Sequence, residues 1–128
     1  MLMPETYMNR SGQAVRELAG FYKAVPEDIL VVLDDLALPA GRVRARARGS
    51  AGGHKGLADV LRVLGTDEIP RLRIGIGEPP GGMDAVDYVL ARFSRDELEE
   101  ARHAVETAAD AVEDWLFNDM AFVMDRYN

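Results

Sequence analysis

The sequence predicts an α/β fold in which helices alternate with the strands of a mixed or parallel sheet. Three observations support this. An apolar run, ILVVL at 29–33, ends in two aspartates, and a strict two-residue alternation, RVRARAR, occupies 42–48. Two further segments, 55–64 and 94–115, carry apolar residues at three- and four-residue steps. The 128 residues are the size of one domain, and residues 1–128 are expected to form a single one.

The chain opens MLMPETYMNRSGQAV, with residues 2–3 as a short extended segment. Met8, Val15, Leu18, Ala19 and Phe21/Tyr22 follow at helical spacing and predict a helix over 11–23. Residues 25–28, Val-Pro-Glu-Asp, are a turn. The largely β-branched run at 29–33 suits a strand buried on both faces. Asp34 and Asp35 end it, and LPAG at 38–41 closes a loop. In RVRARAR, Arg42, Arg44, Arg46 and Arg48 fall on one face and Val43, Ala45 and Ala47 on the other, giving a strand with a solvated basic side.

GSAGGHKG at 49–56 leads into a helix with Leu57, Val60, Leu61 and Leu64 inward. RLRIGIG at 71–77 is a further strand, 78–82 a Pro/Gly loop and 84–90 a short element. Ser94 and Glu97 form a capping box for a long helix. Its apolar stripe is Leu98, Ala101, Val105, Ala108, Val112 and Trp115, beneath an acidic outer face. A short helix over 119–126 follows.

Composition narrows the function. Apolar content of 48% with 29% charged residues describes an ordinary soluble protein, and no run of about 18 apolar residues could span a membrane. The opening residues lack the basic start and apolar stretch of a secretory signal, so a cytoplasmic location is expected. Without cysteine there is no disulfide or thiolate chemistry, and two histidines argue against a transition-metal site. Neither metal nor cofactor is expected.

The net charge of −7 argues against a polyanionic partner, but its distribution does not. Residues 42–73 carry eight Lys or Arg against three Asp or Glu, whereas 84–128 carry four against twelve. Exposed fields are screened beyond about 8 Å at physiological salt, so the basic segment can meet a phosphate backbone locally. The plainer reading is a solvated charged surface.

Three places hold polar residues where α/β folds put their sites, at strand ends and in the loops after them. Asn9 has an amide that donates and accepts, suited to holding a carbonyl or a water, though it equally suits capping the next helix. Asp34 or Asp35 could orient a histidine and stabilise its imidazolium, or simply start a turn. Adjacent side chains on an extended segment diverge, which disfavours a paired magnesium site.

GSAGGHKG has glycines that allow positive φ and close ligand approach. It is not a Walker loop, since Lys55 precedes Gly56 rather than Ser or Thr. Between a four-arginine strand and a helix start it suits an anion or nucleic-acid contact. His54 is the one histidine in such a loop; His103 lies on the long helix and reads as a surface residue.

Taken in order, TYMNRSG (6–12), ILVVLDDLALPAG (29–41), GSAGGHKGL (49–57), RLRIGIGEP (71–79), DYVLARFS (87–94) and DRYN (125–128) resemble the bacterial-type peptidyl-tRNA hydrolase family from residue 2 to 128. The resemblance implies a twisted mixed sheet flanked by helices. It also implies hydrolysis of the ester between a stalled peptide and the terminal ribose of its tRNA, without metal or cofactor. By resemblance, Asn9 positions water and substrate, Tyr7 and Met8 line that site, and Asp34 orients the catalytic histidine. His54 and Lys55 fall at peptide-binding positions, and Arg44, Arg46, Lys55 and Arg73 at positions that meet tRNA.

Four departures accompany the resemblance. Lys55 stands where the family's loop usually has asparagine, Leu33 where a histidine is usual, and Ala37 where a third acid is frequent. The family's first strand, its Gly-Asn-Pro-Gly loop and the segment bearing the general-base histidine have no match. The expectation is therefore an N-terminally truncated domain, inactive or weakly active alone, with an exposed sheet edge inviting self-association. The alternative is a catalytically dead, tRNA-binding relative.

Overall fold

The computed structural model describes residues 11–77 and 95–128. In chain order these form α1 (Ser11–Tyr22), a 3-10 turn at Pro26–Asp28, β1 (Val31–Asp35), β2 (Val43–Arg46), α2 (Lys55–Leu64), β3 (Arg71–Gly75), α3 (Arg95–Phe117) and α4 (Met120–Tyr127). The segments expected at 2–3, 78–82 and 84–90 lie outside the described residues, as does the Ser94–Glu97 box. The chain divides into two compact units, Met1–Val31 with Arg46–Arg71, and Val32–Ala45 with Leu72–Asn128.

In the first unit α1 packs on α2. The approach is close because Gly12 has no side chain: a Cβ there would lie 2.5 Å from the Asp59 carbonyl oxygen and 2.8 Å from Val63 Cγ2. At the same point the Gly12 amide donates to Asp59 Oδ2 at 2.7 Å. This carboxylate does for α1 what an N-cap side chain would do, satisfying an amide at the helix start. Asp59 is buried, and its other oxygen accepts from Arg62 at 2.7 Å.

The apolar stripe expected of α1 is covered only in part: Val15 and Ala19 are half-buried, whereas Leu18, Phe21 and Tyr22 are exposed. Phe21 and Tyr22 instead pack edge-to-face on each other, with centroids 5.0 Å apart.

The sheet order is β1-β3-β2. The Val31 amide donates to Pro70 O and the Ile76 amide to Asp35 O, so β1 and β3 run in the same direction. Arg42 pairs with Gly75 at one end and Gly49 with Asp67 at the other, so β2 runs opposite to β3. The sheet is mixed, as the sequence anticipates.

β2 keeps its predicted alternation, with Val43 and Ala45 buried and Arg44 and Arg46 exposed. It ends two residues earlier than predicted, at Arg46, and Ala47 is exposed. Its edge at Ala45 is filled by Asn128, whose Oδ1 accepts the Ala45 amide at 2.7 Å while its Nδ2 donates to the Ala45 carbonyl at 2.9 Å. A side-chain amide thus takes the place of a neighbouring strand.

The expectation that 29–33 is buried on both faces is corrected. The strand occupies Val31–Asp35, with Leu33 buried but Val32 47% exposed. Side chains alternate between the two faces of β1, and only the one bearing Leu33 is covered.

On α3, Ala108 of the expected stripe is buried and Val112 and Trp115 are half-buried, but Val105 is 62% exposed and Ala104 and Ala111 are buried in addition. Leu98 and Ala101 have side chains outside what the structure describes. On α4, Met120 and Val123 are buried, and Asp119 caps the helix by accepting the Phe122 amide at 2.8 Å.

α3 and α4 are joined by polar contacts as well. Tyr127 Oη donates to Asp114 Oδ2 at 2.6 Å, and Arg126 reaches the same oxygen at 3.2 Å. Burial, then the hydrogen bond to Asp114 and its negative charge, push the Tyr127 phenol up to about 12. The raised value means the neutral phenol favours the folded state, so this contribution is complete below pH 10 and is lost as pH rises from 10 through 12. A spectrophotometric titration at alkaline pH should therefore show a late tyrosinate phase that Tyr127→Phe removes. Its absence from the unmodified chain would contradict the Asp114 contact.

Candidate functional site

The loop 49–56 is built from both ends. Gly49, Gly52 and Gly53 all have positive φ, at 133°, 59° and 86°, values an L side chain rarely adopts. At its far end His54 is the N-cap of α2, with Nδ1 accepting the Leu57 amide at 3.1 Å. That bond assigns the proton of the neutral imidazole to Nε2. Lys55 is the first residue of α2 and is exposed. A cation there opposes the helix dipole, so helix stability does not account for it.

At its near end the loop is held by Arg71, only 1% exposed. Its Nη1 donates to the carbonyls of Gly49 at 2.7 Å and Ser50 at 2.9 Å, Nη2 to Asp67 at 3.0 Å, and Nε to Ile69 at 2.9 Å. One guanidinium thus joins the chain before α2 to the chain after it. Burying a charge costs several kcal/mol, and carbonyl dipoles arranged around it offset that cost. Sequence reasoning missed this role, because an arginine in an alternating strand reads as solvated. The partners that distinguish Arg71 from Arg73 are set by the fold.

The paired aspartates diverge as the extended chain requires. Asp35 forms the turn: its Oδ1 accepts the Ala37 amide at 2.9 Å, and its Oδ2 lies 3.6 Å from Arg73 Nη1. Asp34 is exposed on the opposite face of β1. Arg73, expected at a tRNA contact, has a side chain only 14% exposed and faces Asp35. Arg44 and Arg46 project from the open face of β2. Arg48 lies 3.8 Å from Glu68 in an exposed pair of little energetic weight. Tyr7, Met8 and Asn9 lie outside the described residues. His103 is exposed on α3.

Among the described residues, no group of three or more His, Asp or Glu side chains is arranged to hold a metal ion. No helix among them is long and apolar enough to cross a membrane.

A mixed sheet carrying an exposed arginine strand, followed by a glycine loop that opens a helix, defines an α/β protein. Comparison with known proteins makes this specific. The family model described as peptidyl-tRNA hydrolase matches residues 1–128, and the chain belongs to that family.

A peptidyl-tRNA hydrolase of Rhodopirellula baltica is 52% identical over 128 residues, covering 100% of this chain and 67% of the relative. One from Bacillus cereus strain Q1 is 46% identical, covering 100% and 69%. The crystal structure of peptidyl-tRNA hydrolase from Acinetobacter baumannii superposes with a TM-score of 0.84 at 34% identity, covering 98% of this chain and 63% of that one. The chain thus spans about two thirds of the length of the relatives it matches.

Proposed function

We propose that the protein to which this chain belongs hydrolyses the ester linking a peptide, or an N-blocked amino acid, to tRNA, recycling tRNA from stalled translation in the cytoplasm. The observation that carries this reading is the family match along all 128 residues. The exposed Arg44 and Arg46 and the glycine loop that opens α2 support it.

In the proposed chemistry a water attacks the ester carbonyl, and the ribose oxygen leaves and takes a proton. Asn9 holds the water and the carbonyl. Asp34, exposed on β1, orients a general-base histidine. His54 and Lys55 meet the peptide end, with Tyr7 and Met8 lining the site. Arg44, Arg46, Lys55 and Arg73 meet the tRNA, although Arg73 does so only by sharing its charge with Asp35.

The described histidines are not placed as the base. His54 has Nδ1 engaged in capping α2, and His103 lies exposed on α3. The 128-residue chain alone is therefore expected to bind tRNA but to release peptide far more slowly than its longer relatives. The test is single-turnover release of an acylated amino acid from tRNA, alongside tRNA binding at low salt. Release at the pace of a longer relative would refute the assignment of roles, and absence of tRNA binding would refute the function.

A further inference from the structure

We infer that Arg71 is a positioning residue for substrate, holding the 49–56 loop in the one conformation in which His54 caps α2 and Lys55 opens it. The inference rests on the proposed function, since it gives the loop a substrate to hold. It also adds a requirement that the function does not contain.

Three of the loop's glycines occupy left-handed backbone, where the chain without side chains has its widest freedom. Within the loop, the His54 amide bonds the Ala51 carbonyl at 3.2 Å, and at its start the Gly49 amide bonds Asp67 O, outside the loop, at 3.1 Å. Arg71 adds bonds to two successive carbonyls at the loop's start, Gly49 and Ser50.

Because a trans peptide is planar, turning the Gly49 carbonyl toward Arg71 turns the Ser50 amide away from it, and the Ser50 carbonyl does the same for the Ala51 amide. The guanidinium thereby orients two peptide planes at once. Its other two bonds, to Asp67 and Ile69, anchor it to the segment entering β3. The donors lie in a rigid planar fork, so the geometry follows from guanidinium shape as well as charge. Neither methionine nor lysine can reproduce four bonds in these directions.

The test uses the full chain with Arg71→Met, Arg71→Lys and, as a control of similar burial in the same unit, Val60→Ala. Val60 is 2% exposed on α2 and has no polar role, so it reports loss of stability alone. Two probes separate the surfaces: uncharged tRNA, and a hydrolysis-resistant 3′-acylamino-adenosine that mimics the acceptor end.

Arg71→Met should weaken the adenosine probe about tenfold or more, as expected for losing hydrogen bonds to a charged group. The salt dependence of tRNA binding should stay as in the unmodified chain. Arg71→Lys should recover part of the loss, and it serves where Arg71→Met does not fold. Amide exchange should rise at His54 and Ala58 in the Arg71 variants and not in Val60→Ala at matched loss of Tm.

Equal weakening in Val60→Ala and Arg71→Met at equal Tm would overturn the inference, as would unchanged exchange across 49–58. An unmodified chain that binds tRNA but not the adenosine probe would also overturn it while leaving tRNA recognition standing. One that binds neither would overturn the proposed function itself.

Discussion

Gly75→Ala should lower stability by about 3 kcal/mol or more, read as a fall in the denaturation midpoint at unchanged slope. Gly75 closes β3 and is buried. A Cβ there would collide with the Pro39 carbonyl oxygen and come within 2.7 Å of the Leu38 carbonyl oxygen. These obstacles are backbone atoms and cannot change rotamer.

Nor can that backbone easily move. The Gly75 amide donates to Arg42 O at 2.7 Å, Gly41 donates to Gly75 O at 3.2 Å, and Gly77 donates to Leu38 O at 3.0 Å. Relieving the collision means breaking bonds that join the 38–42 loop to the central strand. Gly20→Ala is the matched control: nothing lies within 4 Å of its Cβ position, and it sits inside α1. That change should stabilise by about 0.5–1 kcal/mol, because alanine loses less backbone freedom in a helix. A Gly75→Ala chain within 1 kcal/mol of the parent, on the scale of ordinary surface changes, would show that the loop yields.

Replacing Arg44 and Arg46 together by alanine should weaken tRNA binding about tenfold at physiological salt and flatten the plot of log affinity against log salt by about two. Both side chains are exposed on one face of β2, while Val43 and Ala45 hold the strand from the other face. The double change therefore removes the two proposed phosphate contacts without disturbing the core. Arg73→Ala should behave differently. Its side chain is 14% exposed against Asp35, so the change acts partly through stability and flattens the salt plot less. Arg126, paired with Asp114 on the acidic helices, should leave binding unchanged when replaced. An unaltered salt slope in the double variant would mean that the arginine strand is only a solvated surface.

Much of the fold is legible in local pattern. The alternation of β2, the extent of α1 and α2 and the short closing helix all follow from periodicities that neighbouring residues write directly. The divergence of Asp34 and Asp35 was readable too, because consecutive side chains on a strand face opposite ways. Where two patterns overlap, periodicity is silent. On α3, Val105 and Ala104 both fall at helical spacing from Ala108, and the choice between them depends on what packs there. The exposed ends of α1 and Val32 on β1 fall in the same class, since an apolar run states a preference for burial but not whether a covering element exists.

By itself the sequence determined the α/β class, the basic strand, the glycine loop before a helix and the family to which these ordered blocks belong. Only the tertiary structure decided that Asp59 receives the Gly12 amide, that Arg71 holds the glycine loop and that Asn128 fills the edge at Ala45. Those partners lie 47, 22 and 83 residues apart in the chain. Secondary structure is encoded by residues a few positions apart, whereas a hydrogen bond across the fold exists only once the chain has brought its two ends together.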